Sequence, residues 1–383
     1  MAITTVELLE RLVAFDTTSR DSNVPLIDYV EPLLAERGVT CHRVWSEDHK
    51  HVNLWATIGP DVPGGVVVSG HTDCVPVDGQ PWTTDPFVLT EVGDRLLGRG
   101  TSDMKGFVAS ALVAVDRWMA MGLERPIHLA LSYDEEVGGA GARLMAADMA
   151  RAGVRPQYCI IGEPSSMQVV TANKGIETFV ATITGTESHS SLAPRAVNAV
   201  EYGARMVTAL SDLARQRAED GPFDDEFDLP HTTIHTGVFH GGTALNIVPR
   251  LCELEFEYRY LPTEDAVELR ASVDEIVADV MAMMPDEGDV GIIVEKRADL
   301  PGINTALDSP AVEATSMLTP VPGTAKVAYG TEAGLFRDAL KAPAVICGPG
   351  AIAAAHKPDE YVEVDQLRIC DDFMTALGES LTS

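Results

Sequence analysis

Positive charge is what this 383-residue sequence has least of: 28 Lys and Arg stand against 58 Asp and Glu, a formal net charge of −30. That balance repels phosphate backbones and anionic membrane faces, so nucleic acid is not an expected partner. Also missing is any run approaching the roughly 18 uncharged residues that a membrane-spanning helix needs. The opening segment interrupts its apolar positions with Glu7, Glu10, Arg11 and Asp16 at helical spacing, which predicts an amphipathic helix in place of a signal peptide. There is no CxxC pair. The cysteines at 41, 74, 159, 252, 347 and 370 form no compact framework, which predicts free thiols in a reducing compartment, the cytoplasm. Cys74 is expected to be a small buried side chain on the face opposite His71 and Asp73. Internal repeats and low-complexity tracts are lacking too. What is present, 45% hydrophobic and 22% charged residues, describes an ordinary folded protein long enough for two cores.

Through residues 1–175 short apolar runs alternate with longer helical patterns, the rhythm of an α/β sheet covered by helices on both faces. The spacing predicts strands over 66–69, 127–133, 158–162 and, much later, 344–347. It also predicts a helix over 105–121 with Phe107, Ala111, Val115 and Met119 buried. From 176 to 292 the pattern changes. A strand over 177–184 precedes a helical stripe of Val200, Ala204, Val207, Leu210 and Ala214, and strands over 231–239 and 253–260 follow. Next comes a helix capped by Thr263, burying Leu269, Val273, Ile276, Val280 and Met283, and then a strand over 290–295. This β-α-β-β-α-β order is that of a ferredoxin-like split βαβ sandwich. It predicts an α+β domain at 176–292 inserted between two parts, 1–175 and 293–383, of an α/β domain.

Several predicted strands run directly into a residue able to hold a metal, at the C-terminal ends where open α/β sheets place their binding sites. GGVVVSGHTD delivers His71 and Asp73, which alternation turns to one side, so Asp73 can accept from the far ring nitrogen of His71. A single HxD is otherwise an ordinary histidine satisfied beside a turn. IHLALSYDEEVGG ends in Asp134, Glu135 and Glu136, neighbouring carboxylates that repel unless a cation or a shared proton intervenes; an acidic solvent-facing turn is the plainer reading. YCIIGEPS adds Glu163. GRGTSDMKG adds Asp103, which taken alone would serve as a helix cap, and AVICGPGAIAAAHKPDEYV adds His356 from a Gly-rich loop. Two histidines and three carboxylates at strand or helix ends make a mixed N/O set suited to zinc, in which one carboxylate can bridge two ions.

With SGHTDCVP, GRGTSDMKG, DEEVGG, GEPS, SHSSLAP and AAHKPDEYV in this order, nearly the whole chain resembles the M20 family of metallopeptidases and deacylases. The resemblance implies a zinc-peptidase-like mixed sheet flanked by helices, with the inserted domain acting as a lid and joining two copies into a homodimer. It implies two Zn2+ per chain, for which Co2+ or Mn2+ can substitute. Asp103 would bridge them, with His71 and Glu163 completing one site and Glu136 and His356 the other. Glu135 corresponds to the general base and Asp73 to the partner of His71. The family also has a cis peptide after the bridging aspartate, here Asp103–Met104. His189 is similar to a lid histidine that reaches across the dimer toward the oxyanion, although Ala196 stands where the family lid usually has Gly. Arg259 and Asn246 match the lid positions that bind the α-carboxylate of an N-acyl amino acid. YGTEAGLF, containing Glu332, is similar to the version in members that remove the acetyl group of N2-acetyl-L-ornithine, a step of arginine biosynthesis. Members acting on succinyl-diaminopimelate show a Ser-Asp-Gly type sequence there. Glu332 is accordingly expected against the substrate ammonium. Other N-acyl amino acid or dipeptide hydrolases share the same machinery. A silent scaffold would have no need of Glu135 and the complete ligand set.

Overall fold

Four runs rich in Val, Ile and Leu become the parallel centre of an eight-stranded mixed sheet. In the computed structural model, which describes residues 3–285 and 289–382, these are Ile127–Ser132, Val66–His71, Tyr158–Pro164 and Ala344–Gly348, adjacent in that order. Cys41–Trp45 and Val52–Ile58 extend one side antiparallel, and Val169–Asn173 and Thr324–Val327 extend the other. Burial on both faces explains the unbroken apolar runs. Val66, Val68, Leu129, Leu131 and Ile160 share one core with Leu12, Phe107, Val115, Trp118 and Phe373 from the helices Thr5–Val13, Gly106–Met121 and Val364–Ser380. The intervening Val67, Ala130 and Ile161 are equally buried. They point to the other side, where Ala140–Arg151 packs with Ala333–Leu340. No described helix is long and apolar enough to cross a membrane.

The chain divides into two compact units: Met1–Ala172 with Ile303–Lys326 and Thr331–Ser383, and Asn173–Gly302 with Val327–Gly330. The second unit therefore continues to Gly302, ten residues beyond the limit expected at 292. Its last strand, Gly291–Leu300, pairs along its whole length with Gly175–Thr184, from Gly291 opposite Thr184 to Leu300 opposite Ile176. This unit is an antiparallel sheet ordered Thr233–Gly241, Leu251–Tyr260, Gly175–Thr184 and Gly291–Leu300, with the helices Ala199–Asp220 and Ala266–Ala282 over a core of Phe179, Ile183, Leu254, Phe256 and Tyr258.

Several local expectations shift. Met119 is 46% exposed, because each step of four residues rotates about 40° past a full turn, and three steps carry it off the face set by Phe107. The buried residues of Ala199–Asp220 are Ala199, Gly203, Met206 and Leu210; of the expected stripe Leu210 is buried, Val200 and Val207 are partly buried against the same core, and Ala204 is exposed. The helix seats on Gly203, where an added Cβ would lie 2.8 Å from Cys252 Sγ. Asp265, not Thr263, caps the later helix, its carboxylate accepting from Val267 N at 2.8 Å. Met283 lies just past the end of that helix and is 59% exposed.

Candidate metal centre

The C-terminal ends of the four parallel strands, with the turn before Gly106–Met121, bring the acids and histidines together. His71 ends its strand with no exposed surface. Its Nδ1 donates to the main-chain carbonyl of Asp73 at 3.0 Å. The Asp73 carboxylate is 3.5 Å away, so the main chain, and not the expected side chain, is the nearer partner of the ring. That carboxylate accepts instead from the Ser19 hydroxyl at 2.7 Å and from the amides of Glu135 and Glu136 at 3.2 and 3.3 Å. Asp73 thus orders the acidic turn through those two amides.

Asp103 does not cap its helix. The turn Thr101–Lys105 leaves helical geometry at Asp103 and Met104, whose peptide bond is cis. One carboxylate oxygen, Oδ1, lies 2.9 Å from His71 Nε2, and the other, Oδ2, 3.3 Å from His356 Nε2. A single buried carboxylate so faces two different imidazoles. Glu136 approaches His356 Nε2 at 3.0 Å, and Glu163 approaches His71 Nε2 at 3.8 Å. The ligand atoms of His71, Asp103 and Glu136 lie within 4.8 Å of one another, as do those of His71, Glu135 and Glu163.

Crowding of like charge governs the electrostatics. Burial, reinforced by Glu136, Asp103 and Glu332, pushes the Glu135 carboxyl well above its usual range. Burial with Glu135 and Asp103 does the same to Glu163. Burial and Asp103 lift Glu136 to about 7. The histidines respond in the opposite sense. Hydrogen bonds to Asp103 and Glu136 raise His356 to about 10. For His71, burial disfavours the charged ring, yet Asp103, Asp73 and Glu163 outweigh it and raise its pKa well above the ordinary value. Glu163 Oε1 is buried without a hydrogen-bond partner, a costly state for a carboxylate oxygen. Hard oxygen donors in excess, two imidazole nitrogens and that orphaned oxygen fit divalent cations. Donors around one such ion at about 2.0–2.2 Å stand roughly 3–4 Å apart, within the spread found here.

The remaining expected residues are placed differently. Glu332 has no exposed surface, and its two oxygens accept from Ser69 Oγ at 2.5 Å and Ser132 Oγ at 2.6 Å. It bolts together the strands that carry His71 and the acidic turn. A sealed carboxylate with both oxygens engaged does not meet the ammonium-binding role expected of it. Cys74 is buried, as its alternation implies, and burial raises its thiol pKa.

His189, Asn246 and Arg259 belong to the second unit. His189 pairs with Ile247 across a short two-stranded ladder, and Ser190 N donates to Asn246 O at 3.0 Å, so exposed His189 and exposed Asn246 sit side by side. Ala196 has φ −130 and ψ 162, extended backbone that any residue adopts, so its departure from glycine carries no strain. The loops bearing His189 and Asn246 leave the sheet near Leu251, where Gly185 N bonds Arg250 O and Gly242 N bonds Leu251 O. Arg259 lies eight residues along the strand Leu251–Tyr260, roughly 26 Å from its start. Its guanidinium is ion-paired with Glu257 at 2.8 Å. Ser19 carried no recognisable signal in the sequence. Glu360, which accepts from Asp103 N at 3.1 Å, lies inside the HKPDEYV segment but had no role attached to it.

Comparison with known proteins identifies the family. The profile of peptidase family M20/M25/M40 matches residues 67–380. An acetylornithine deacetylase of Proteus mirabilis is 35% identical, covering 98% of this chain and 96% of that protein. One of Myxococcus xanthus is 36% identical, with coverages of 95% and 93%. Among solved structures, an M20 family metallo-carboxypeptidase of Sulfolobus solfataricus superposes with a TM-score of 0.79 at 18% identity, over 99% of both chains.

Proposed function

Since the chain belongs to the M20/M25/M40 family of metal-dependent hydrolases, we propose that it cleaves an amide with two zinc ions and that its substrate is N2-acetyl-L-ornithine, released as ornithine and acetate. The observation that carries the two-cation part is Asp103, whose two oxygens face His71 and His356 separately. The substrate part is supported by relatives near 35% identity that carry the name acetylornithine deacetylase.

In this reading His71 and Glu163 would hold one cation and Glu136 and His356 the other, with Asp103 available to both. Zinc, cobalt and manganese all suit this donor set. Bound there, such a pair polarises a carbonyl and brings the pKa of water toward neutrality. The chain's own residues do the rest. Asp73 holds the amides of Glu135 and Glu136 and, through its main chain, the orientation of His71. Glu135, buried and with its pKa pushed upward, takes the proton of the attacking water and returns it to the departing amine nitrogen. The planar fork of Arg259 binds the α-carboxylate, and Asn246, beside His189, serves the α-carboxylate at the site of a second copy. His189 serves the oxyanion of a second copy in a homodimer joined through the inserted unit. The separation of Arg259 from the His189–Asn246 pair along one unit supports that division of labour. Six unpaired cysteines, five of them buried, support a cytoplasmic enzyme of arginine biosynthesis.

The test is release of acetate from N-acetylornithine against release of succinate from succinyl-diaminopimelate, each with and without chelator. Chelator-sensitive acetate release in clear excess is the expected result. A preference for the succinyl compound overturns the substrate, and activity indifferent to chelator overturns the cation pair.

A further inference from the structure

The loops carrying Asp103 and His356 lie far apart in the chain, and a polar knot, buried at Arg99 and Glu360 and exposed at its Gln80–His356 end, joins their backbones. Glu360, 1% exposed, accepts four hydrogen bonds: from Arg99 Nη1 at 2.6 Å and from the amides of Gly100, Ser102 and Asp103 at 3.1, 2.9 and 3.1 Å. The turn that presents Asp103 is thereby clamped from its main-chain side. Arg99 has no exposed surface, and its guanidinium lies 5.1 Å from the Trp82 ring. It spends its other amino group on Gln80 Oε1 at 2.6 Å. Trp82 Nε1 donates to that same oxygen at 2.9 Å. The Gln80 amide nitrogen then donates to the main-chain carbonyl of His356 at 3.1 Å. This orientation of the carboxamide satisfies all three bonds at once. His356 needs such a grip, since its φ of +60° is one that L side chains rarely adopt.

We infer that Gln80 is a positioning residue, coupling the His356 loop to the Arg99–Glu360 pair that clamps the Asp103 turn and so setting the affinity for the cation shared by Asp103, Glu136 and His356. The inference rests on the two-cation reading above. Residues that orient metal ligands without touching the metal typically change affinity about 10- to 100-fold when lost. Gln80 is suited to a test because Met keeps its length while removing all three hydrogen bonds.

The metal-free full chain, as wild type, Gln80→Met and His356→Ala, is titrated with Co2+ and followed by visible absorption, with the melting temperature of each metal-free protein recorded. Wild type is expected to bind two ions. Gln80→Met is expected to weaken one of them at least about tenfold, the same one that His356→Ala abolishes, with the other dissociation constant and the melting temperature unchanged. Two wild-type constants in Gln80→Met overturn the inference alone. So does parallel weakening of both ions with a lowered melting temperature, which marks a general loss of structure. A wild type that takes up fewer than two ions removes the two-cation reading and the inference with it.

Discussion

Replacing Glu135 by Gln separates proton transfer from metal binding at this centre. The change keeps the side chain's shape in a site where it is 8% exposed, and leaves the bond from its amide to Asp73 Oδ1 in place. If Glu135 carries the proton between water and amine, the variant loses about 10²- to 10⁴-fold in kcat, equivalent to roughly 2.7–5.5 kcal/mol at 1.36 kcal/mol per decade. KM stays near the wild-type value and two cations remain by metal analysis. The electrostatics give a second, independent readout. A carboxyl whose folded pKa is raised stabilises the fold below its unfolded pKa and loses that contribution as pH climbs toward the folded value. Glu135 is raised well above 4.5 by burial and by Glu136, Asp103 and Glu332. Metal-free Glu135→Gln should therefore melt higher than metal-free wild type at pH 7, and the gap should close as pH falls toward about 4.5. Because ligand atoms of His71, Glu135 and Glu163 also lie within 4.8 Å of one another, Glu135 has a rival role as a metal ligand. A variant that retains kcat within tenfold, or that loses one cation along with its activity, refutes the proton-carrier assignment.

Asp103→Ala, which removes the oxygens facing both imidazoles, is expected to leave less than one tightly bound cation by elemental analysis, whereas His356→Ala keeps about one; equal losses contradict the bridging arrangement. Glu332→Gln should change kinetics for acetylornithine and acetylmethionine by the same factor, since Ser69 and Ser132 occupy its carboxylate. A selective rise in KM for acetylornithine would show the ammonium reaching it after all. Gly162→Ala places a Cβ 2.1 Å from the Phe107 ring. Overpacking of that kind costs about 1–3 kcal/mol, measurable by denaturant titration, and a neutral result would mean that Phe107 relocates freely.

The strands and the major donors were legible because their signals are local. A run such as Val66–Val68 reads as a doubly buried strand wherever it stands, and the strand's C-terminal end is where an open sheet exposes functional groups. Errors arose where a neighbour distant in sequence decided the outcome. Thr263 and Asp265 are both capable caps, but Glu264 is engaged by Arg217 and Thr232, and the helix starts after Asp265. The strand expected to stop at 295 continues to Leu300 because Gly175–Thr184 offers it a full-length partner. Glu332 carries the composition of a substrate ligand, and two serine hydroxyls from neighbouring strands make it a structural clamp instead.

By itself the sequence determined the periodicities that make a mixed sheet and a β-α-β-β-α-β unit, and the chemical kind of each donor, since both are properties of residues and their spacing along one chain. Only the tertiary structure decided which donors face one another. The Asp103 carboxylate divides itself between His71 and His356, Asp73 turns to Ser19 and the acidic turn, and Gln80 reaches the His356 carbonyl. Such contacts join residues tens to hundreds of positions apart, and no local rule specifies them, because their geometry is fixed by the packing of every element between.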